Sequence, residues 1–314
     1  MRSKCSLGEH TLVGEIPPIL EPCTIPYIGS LRHKDGYSSR EGELTPVTDI
    51  VQEAQRIIDT AEKNQIILRL FGGMAIRFRC PSATHRNLAR KYADIDFMGL
   101  RKQARGMKKL FIDLGYTPRD IFNALHGDSR LIFNDIENGR RIDIFLDVFE
   151  MCHKFNFKDR LPIDKYTSPL VDLLATKLQV VEITEREYRD IISLIHDHEI
   201  SDSNDLEAIN GAYFAQLCAE DWGVYKTFSI NLTNILNALP TYKLDAESEK
   251  TVQKRIQDLQ ARMESAPKST KWKLRARIGE KKQWYELPEM DKEVVDSRIV
   301  SNSAAPNGSA PTKT

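Results

Sequence analysis

A chain of 314 residues, 41% apolar and 29% charged, can bury a sizeable core in one or two soluble domains. Its 45 basic and 45 acidic residues balance, which excludes a global attraction to nucleic acid or an anionic membrane surface and leaves any such binding to local patches. No apolar run approaches the roughly 20 residues a bilayer span needs.

The N-terminal stretch MRSKCSLGEHTLVGEI has a basic start but no continuous apolar run, so no secretory signal is expected. Cys5, Cys23, Cys80, Cys152 and Cys218 are scattered and form no C-x-x-C pair, which predicts reduced thiols and a cytoplasmic location. Residues 1–45, rich in Pro, Gly and Ser, predict an irregular arm. Within it, the spacing of Cys5, His10, Cys23 and His33 fits no tight zinc knuckle.

From Asp49 to about Lys63, apolar residues recur at helical spacing. QIILRLF, Gln65 to Phe71, predicts a buried strand that runs into a short helix starting at Gly72-Gly73. ADIDFMGL predicts a second strand, and ARGMKKLFIDLGY an amphipathic helix stopped by Gly115. In SRLIFNDIENGRRIDIFLDVF, two apolar-rich runs flank Asn138-Gly139, predicting a hairpin closed by a tight primed turn. Helices are expected next. One has Ser168 as N-cap and Pro169 at its first position; another opens with Thr184 and Glu187 in capping-box spacing. Further helical pattern covers about 205–237 and 245–264. KWKLRARIGEKKQWYEL alternates, turns near Gly279 and returns, predicting a basic hairpin whose cations and tryptophans would suit RNA, although a half-buried hairpin with a basic outer face is the commoner explanation. DSRIVSNSAAPNGSAPTKT predicts a disordered tail. The expected organisation is an irregular arm over 1–45, an α+β core with a mixed sheet over 46–165, a mainly helical domain with the basic hairpin over 166–295, and a tail over 296–314.

The chemistry-bearing residues gather on the predicted strands. Strand side chains alternate faces, so Asp94 and Asp96 share one face while Ile95 and Phe97 share the other. Two such carboxylates suit one hard divalent cation, Mg²⁺ or Mn²⁺. In RRIDIFLDVF, Asp143 stands on the face opposite Ile142 and Ile144, and can complete a cluster of the kind used in nucleotidyl transfer if its strand lies beside the first. D-x-D alone would equally suit a solvated strand edge or a sugar-nucleotide transferase. Gly72-Gly73 at a helix start gives bare N–H groups that bind phosphate well; without a ligand it is a tight strand-to-helix turn. Lys177 falls inside the apolar arc of its helix, where a lysine needs an acidic partner, an anionic ligand or room to snorkel. Asp190, on the next helix, could pair with it or act as a general base. Arg77, Arg79, Arg86, Arg90 and Lys91 could grip phosphate or RNA, or simply be solvated.

The stretches FGGMAIRF, YADIDFM and RIDIF resemble the nucleotidyltransferase fold of the DNA polymerase beta superfamily, and DLLATKLQVVEITEREYRDIISLI is similar to the lysine and aspartate motifs of the AbiEii-type nucleotidyltransferase toxins, relatives of the MenT toxins. The likeness covers roughly 67–195. It implies that Asp94 and Asp96, with Asp143 as third carboxylate, bind metal, and that Gly72, Gly73, Arg77 and Lys177 hold the nucleotide. It also implies that Asp94, Asp96, Lys177 and Asp190 are the catalytic set. The substrates implied are a nucleoside triphosphate and an acceptor hydroxyl on tRNA, other RNA, a protein or a small molecule of aminoglycoside type; a cognate antitoxin would be a partner, and no membrane is involved. Met74 follows the glycines where many members place Ser or Thr beside them, which favours as the alternative a non-catalytic binding protein of the same fold.

Overall fold

Asp49 accepts hydrogen bonds from the N–H groups of Val51 and Gln52 and so starts α1 (Ile50–Lys63), which buries Ala54, Ile57, Ile58 and Ala61. The computed structural model describes residues 45–287; the expected arm over 1–45, apart from Thr45, the zinc reading within it and the tail over 296–314 lie outside the described residues. After α1 the chain enters β1 (Leu68–Phe71), buried at every position, and passes without a loop into α2 (Gly72–Arg79). Then come β2 (Asp94–Gly99), α3 (Ala104–Asp113), β3 (Thr117–Pro118), α4 (Asp120–His126), β4 (Arg130–Asp135) and β5 (Arg140–Leu146).

These strands form one mixed sheet in the order β1-β2-β5-β4-β3. β2 and β5 run parallel, while the other neighbours pair antiparallel. The protein is therefore α+β, as expected. The hairpin between β4 and β5 forms, but not around a two-residue turn. Asp135 pairs with Arg140, which leaves a four-residue loop, Ile136 to Gly139, with positive φ only at Gly139 among them. The Asp135 carboxylate decides this: it accepts from the backbone N–H and side-chain amide of Asn138 and from Arg140, closing the wider loop from inside.

Beyond the sheet lie a small hairpin of β6 (Val148–Glu150) and β7 (Lys154–Asn156), then α5 (Leu170–Leu178) and α6 (Glu185–Asp197). The Thr184–Glu187 capping box forms at α6. At α5 the cap position is Pro169 rather than Ser168, and no side chain caps the helix. A parallel pair, β8 (Glu199–Ser201) with β9 (Ala208–Asn210), precedes α7 (Gly211–Glu220), α8 (Trp222–Ala238) and α9 (Ala246–Ser265).

The predicted basic hairpin is a helix, α10 (Thr270–Ile278), which overturns the alternating pattern. Ser269 caps its start, Gly279 ends it at φ +59°, and the Trp272 indole N–H donates to the Cys218 carbonyl. Capping and one anchored tryptophan outweigh an apparent two-residue period that buries nothing: α10 has no buried residue. One continuous apolar cluster runs from Ala54 in α1 to Met263 in α9, so sheet and helices share a core.

Candidate active site

The DID strand is amphipathic in the simplest way. Ile95 and Phe97 are fully buried, Asp94 is exposed and Asp96 is half-buried. Its register against β5 brings Asp96 opposite Asp143 and Asp94 opposite Arg141. Parallel pairing puts each acid at the same height as its partner, and the alternation of both strands turns both acids to one face. Burial, then the neighbouring Asp143 charge, raises the Asp96 carboxyl to about 7; burial and Asp143 also raise that of Asp94.

The double glycine closes on the same carboxylate. Gly72 has φ +59°, and a Cβ there would stand 2.3 Å from Asp96 Oδ2. Only glycine both tolerates that φ and leaves room for the acid. A Cβ on Gly73 would strike the Arg90 guanidinium at 2.0 Å. No side chain caps the start of α2 and its first turn holds no acid, so its leading N–H groups keep their partial positive charge beside the carboxylates. Met74 is 1% exposed and belongs to the core.

Lys177 and Asp190 meet. Lys177 Nζ lies 2.8 Å from Asp190 Oδ2 and 3.9 Å from Glu187. Asp190, 1% exposed, also receives a two-pronged contact from Arg90, at 2.8 Å on each oxygen. Of the two readings open for Asp190, geometry gives the ion-pair partner of Lys177. The positive charge of Lys177 in turn lowers the proton affinity of Asp96, which links this cluster to the acidic pair.

Arg90 is the residue that the sequence left open between a grip on phosphate or RNA and a solvated charge. It lies over the Tyr92 ring at 4.0 Å, forks Asp190 and abuts Gly73. Its partner is a hundred residues away, so no local pattern signals it; a short Arg-x-Tyr spacing is the one hint in the sequence. Arg77 stands half-buried on α2, near enough to Tyr92 to affect its ionisation. Arg79 is drawn away to a buried pair with Asp164 at 2.7 Å, which removes it from any phosphate-binding set. Arg86 and Lys91 are exposed.

The donor set on the central strands β2 and β5, carboxylate oxygens alone, suits a hard divalent cation, and the raised Asp96 carboxyl is the electrostatic strain such a cation would relieve. Among the described residues no three His, Cys, Asp or Glu side chains are placed together so that they could hold a metal ion, so Asp94, Asp96 and Asp143 are not gathered as a ready site. Asp143 is turned to Arg130 at 2.8 Å and Arg141 at 2.9 Å. Arg130 also lies over the Phe145 ring, which fixes its approach.

No protein-family model matches this chain, and no curated protein matches it. Among the described residues, no helix is long and apolar enough to cross a membrane.

Proposed function

We propose that this chain is a cytoplasmic nucleotidyltransferase that moves a nucleoside monophosphate from a triphosphate to an acceptor hydroxyl. The observation that carries this reading is the meeting of Asp96, Asp143 and the Gly72 backbone at one point of the sheet. In the reaction, the acceptor oxygen bonds to the α-phosphorus and its hydroxyl proton passes to solvent, while the bond from the α-phosphorus to the oxygen bridging to the β-phosphate breaks and pyrophosphate leaves. Asp94, Asp96 and Asp143 would hold Mg²⁺ or Mn²⁺, which when bound supplies neutralisation of the charge that develops on the phosphates. The uncapped N–H groups of Gly73 and its neighbours hold triphosphate oxygens, and glycine keeps that approach close. Lys177 faces the same anionic charge from the helical side, and Asp190 and Arg90 hold it in place. Arg77 is proposed as a nucleotide contact from the second turn of α2.

The resemblance to toxin-type members makes RNA, a tRNA end in particular, the first acceptor to test, with a small-molecule hydroxyl second. A partner antitoxin belongs to the same reading. Each labelled nucleoside triphosphate is incubated with Mg²⁺ and total RNA, using the wild type and the Asp94→Ala and Asp96→Ala variants. Label in RNA that both variants lose supports the reading. Nucleotide binding without pyrophosphate release from any acceptor overturns transfer, and supports instead a binding protein in which Asp143 stays committed to Arg130 and Arg141.

A further inference from the structure

A cavity of about 500 Å³ lies away from the acidic pair, between the β6–β7 hairpin, the start of α8, α10 and the segment after it. All three tryptophans of the chain, Trp222, Trp272 and Trp284, line it together with Tyr285. Cavities of this size commonly hold ligands of nucleotide dimensions. The rings are set by their edges. The Trp272 N–H donates to the Cys218 carbonyl at 2.9 Å, and the Trp284 N–H to Thr227 Oγ1 at 3.0 Å. Thr227 also meets His153 Nε2 at 2.8 Å, and burial lowers the His153 pKa. Trp284 packs edge-to-face on Trp222 and Tyr285. Gly223 lets this segment cross the start of α8, since a Cβ there would stand 2.5 Å from the Trp284 carbonyl oxygen.

Four acids and four bases line the cavity with the rings: Asp221 caps α8 by accepting from the Gly223 and Val224 N–H groups, and Glu286 is exposed. Arg275 lies over Trp222 at 4.5 Å and donates to the carbonyls of Gly279 and Lys282, so it serves as a clamp on its own segment. Lys154 is paired with Glu150, and Glu220 accepts from Gln216. Lys271 and Lys282, both exposed on the cavity wall, make no ion pair among the described residues. Trp222 is buried under Arg275, so the rings left for a ligand are the part-exposed Trp272 and Trp284; beside lysines that make no ion pair among the described residues, they match a flat base joined to a phosphate, because the base gains stacking and the phosphate gains a cation.

We propose that this cavity is a second nucleotide-binding site, separate from the acidic pair, which stacks a nucleobase on the tryptophans and holds its phosphate with Lys271 and Lys282. The ligand chemistry has two sources, a free mononucleotide or one residue of a single-stranded RNA. The proposal does not depend on the transferase reading.

Because every tryptophan lines the cavity, the intrinsic fluorescence of the full chain reports on it directly. The titrants are AMP, UMP, an oligouridylate strand and ribose 5-phosphate, applied to the wild type, to the Lys271→Gln/Lys282→Gln double variant and to Asp96→Ala. Saturable quenching is expected with a base-containing titrant, weakened about tenfold or more in the double variant and unchanged in Asp96→Ala. Quenching by AMP or UMP assigns the free nucleotide as source; quenching by the strand alone assigns RNA. Both lysines are exposed, so the double variant is expected to fold, and its circular dichroism checks that. The site is overturned by no quenching in the wild type, by equal quenching with ribose 5-phosphate, or by undiminished affinity in the double variant. Loss of quenching in Asp96→Ala would return the ligand to the acidic pair and also overturn it.

Discussion

Asp96 and Asp143 are register partners on adjacent parallel strands, β2 and β5. Each stands on a strand whose other face is fully buried, by Ile95 and Phe97 on β2 and by Ile142 and Ile144 on β5, so neither strand can rotate to separate the two acids without exposing core. The repulsion between them is a property of the fold.

That repulsion should appear in stability against pH. The Asp96 carboxyl titrates near 7 in the folded protein against 3.8 ordinarily, so the folded state binds its proton more tightly than the unfolded chain does. Its contribution to stability is fully present below pH 3.8 and is lost as pH rises through about 7. The Asp96→Asn variant should therefore be more stable than wild type at pH 8, by about 1–3 kcal/mol once solvent access to the half-buried carboxyl is allowed for. The advantage should shrink steadily between pH 7 and pH 4. Urea unfolding at both ends of that range measures it, and a difference independent of pH would contradict the assignment.

A divalent cation should relieve the same repulsion. At a Mg²⁺ concentration about ten times its dissociation constant, wild type should gain roughly 1.4 kcal/mol. The gain should vanish in Asp96→Asn. Thermal unfolding with MgCl₂, compared with NaCl at matched ionic strength, separates specific binding from screening; equal shifts in both proteins would rule out binding at the acidic pair.

Gly72→Ala should be costly for two reasons at one position. The φ of +59° costs an alanine roughly 1–2 kcal/mol, and its methyl group would meet the Asp96 carboxylate. A loss of at least about 1 kcal/mol in denaturant unfolding is expected. Gly139→Ala, which has positive φ but open space around it, should pay the conformational part alone and lose less.

Asp190 should matter more than either of its cations. Asp190→Ala leaves Arg90 and Lys177 facing each other without their carboxylate, at an expected cost of about 3–5 kcal/mol. Lys177→Met removes one of two partners and keeps the Arg90 fork, so about 2 kcal/mol is expected. Chemical denaturation of the two variants orders them, and an equal loss would show that the Arg90 fork adds nothing once Lys177 is gone.

Much of this was legible in the chain itself. Asp49, Thr184 and Glu187 mark helix starts because capping is a local bond between a side chain and a nearby N–H. Ile95 and Phe97, or Ile142 and Ile144, fix which face of β2 and β5 is buried because alternation in a strand is local as well, and the acids between them are therefore readable as a shared face. Local pattern misled where local signals conflicted. The segment around Trp272 alternates like a strand, yet Ser269, Gly279 and the anchored indole make it helical. Asp135 widened a loop that Asn138-Gly139 alone would have made tighter.

Tertiary structure alone decided the rest, because the partners lie too far apart in sequence for any period or spacing to join them. The parallel neighbouring of β2 and β5 is what sets Asp96 against Asp143, and it depends on the whole sheet order. Arg90 finds Asp190 a hundred residues on, Arg79 turns to Asp164, and Arg130 and Arg141 claim Asp143. Composition shows how many charges a chain must place. Which of them meet in a half-buried site is settled by packing, since only there does desolvation make an unpaired charge expensive enough to choose its partner.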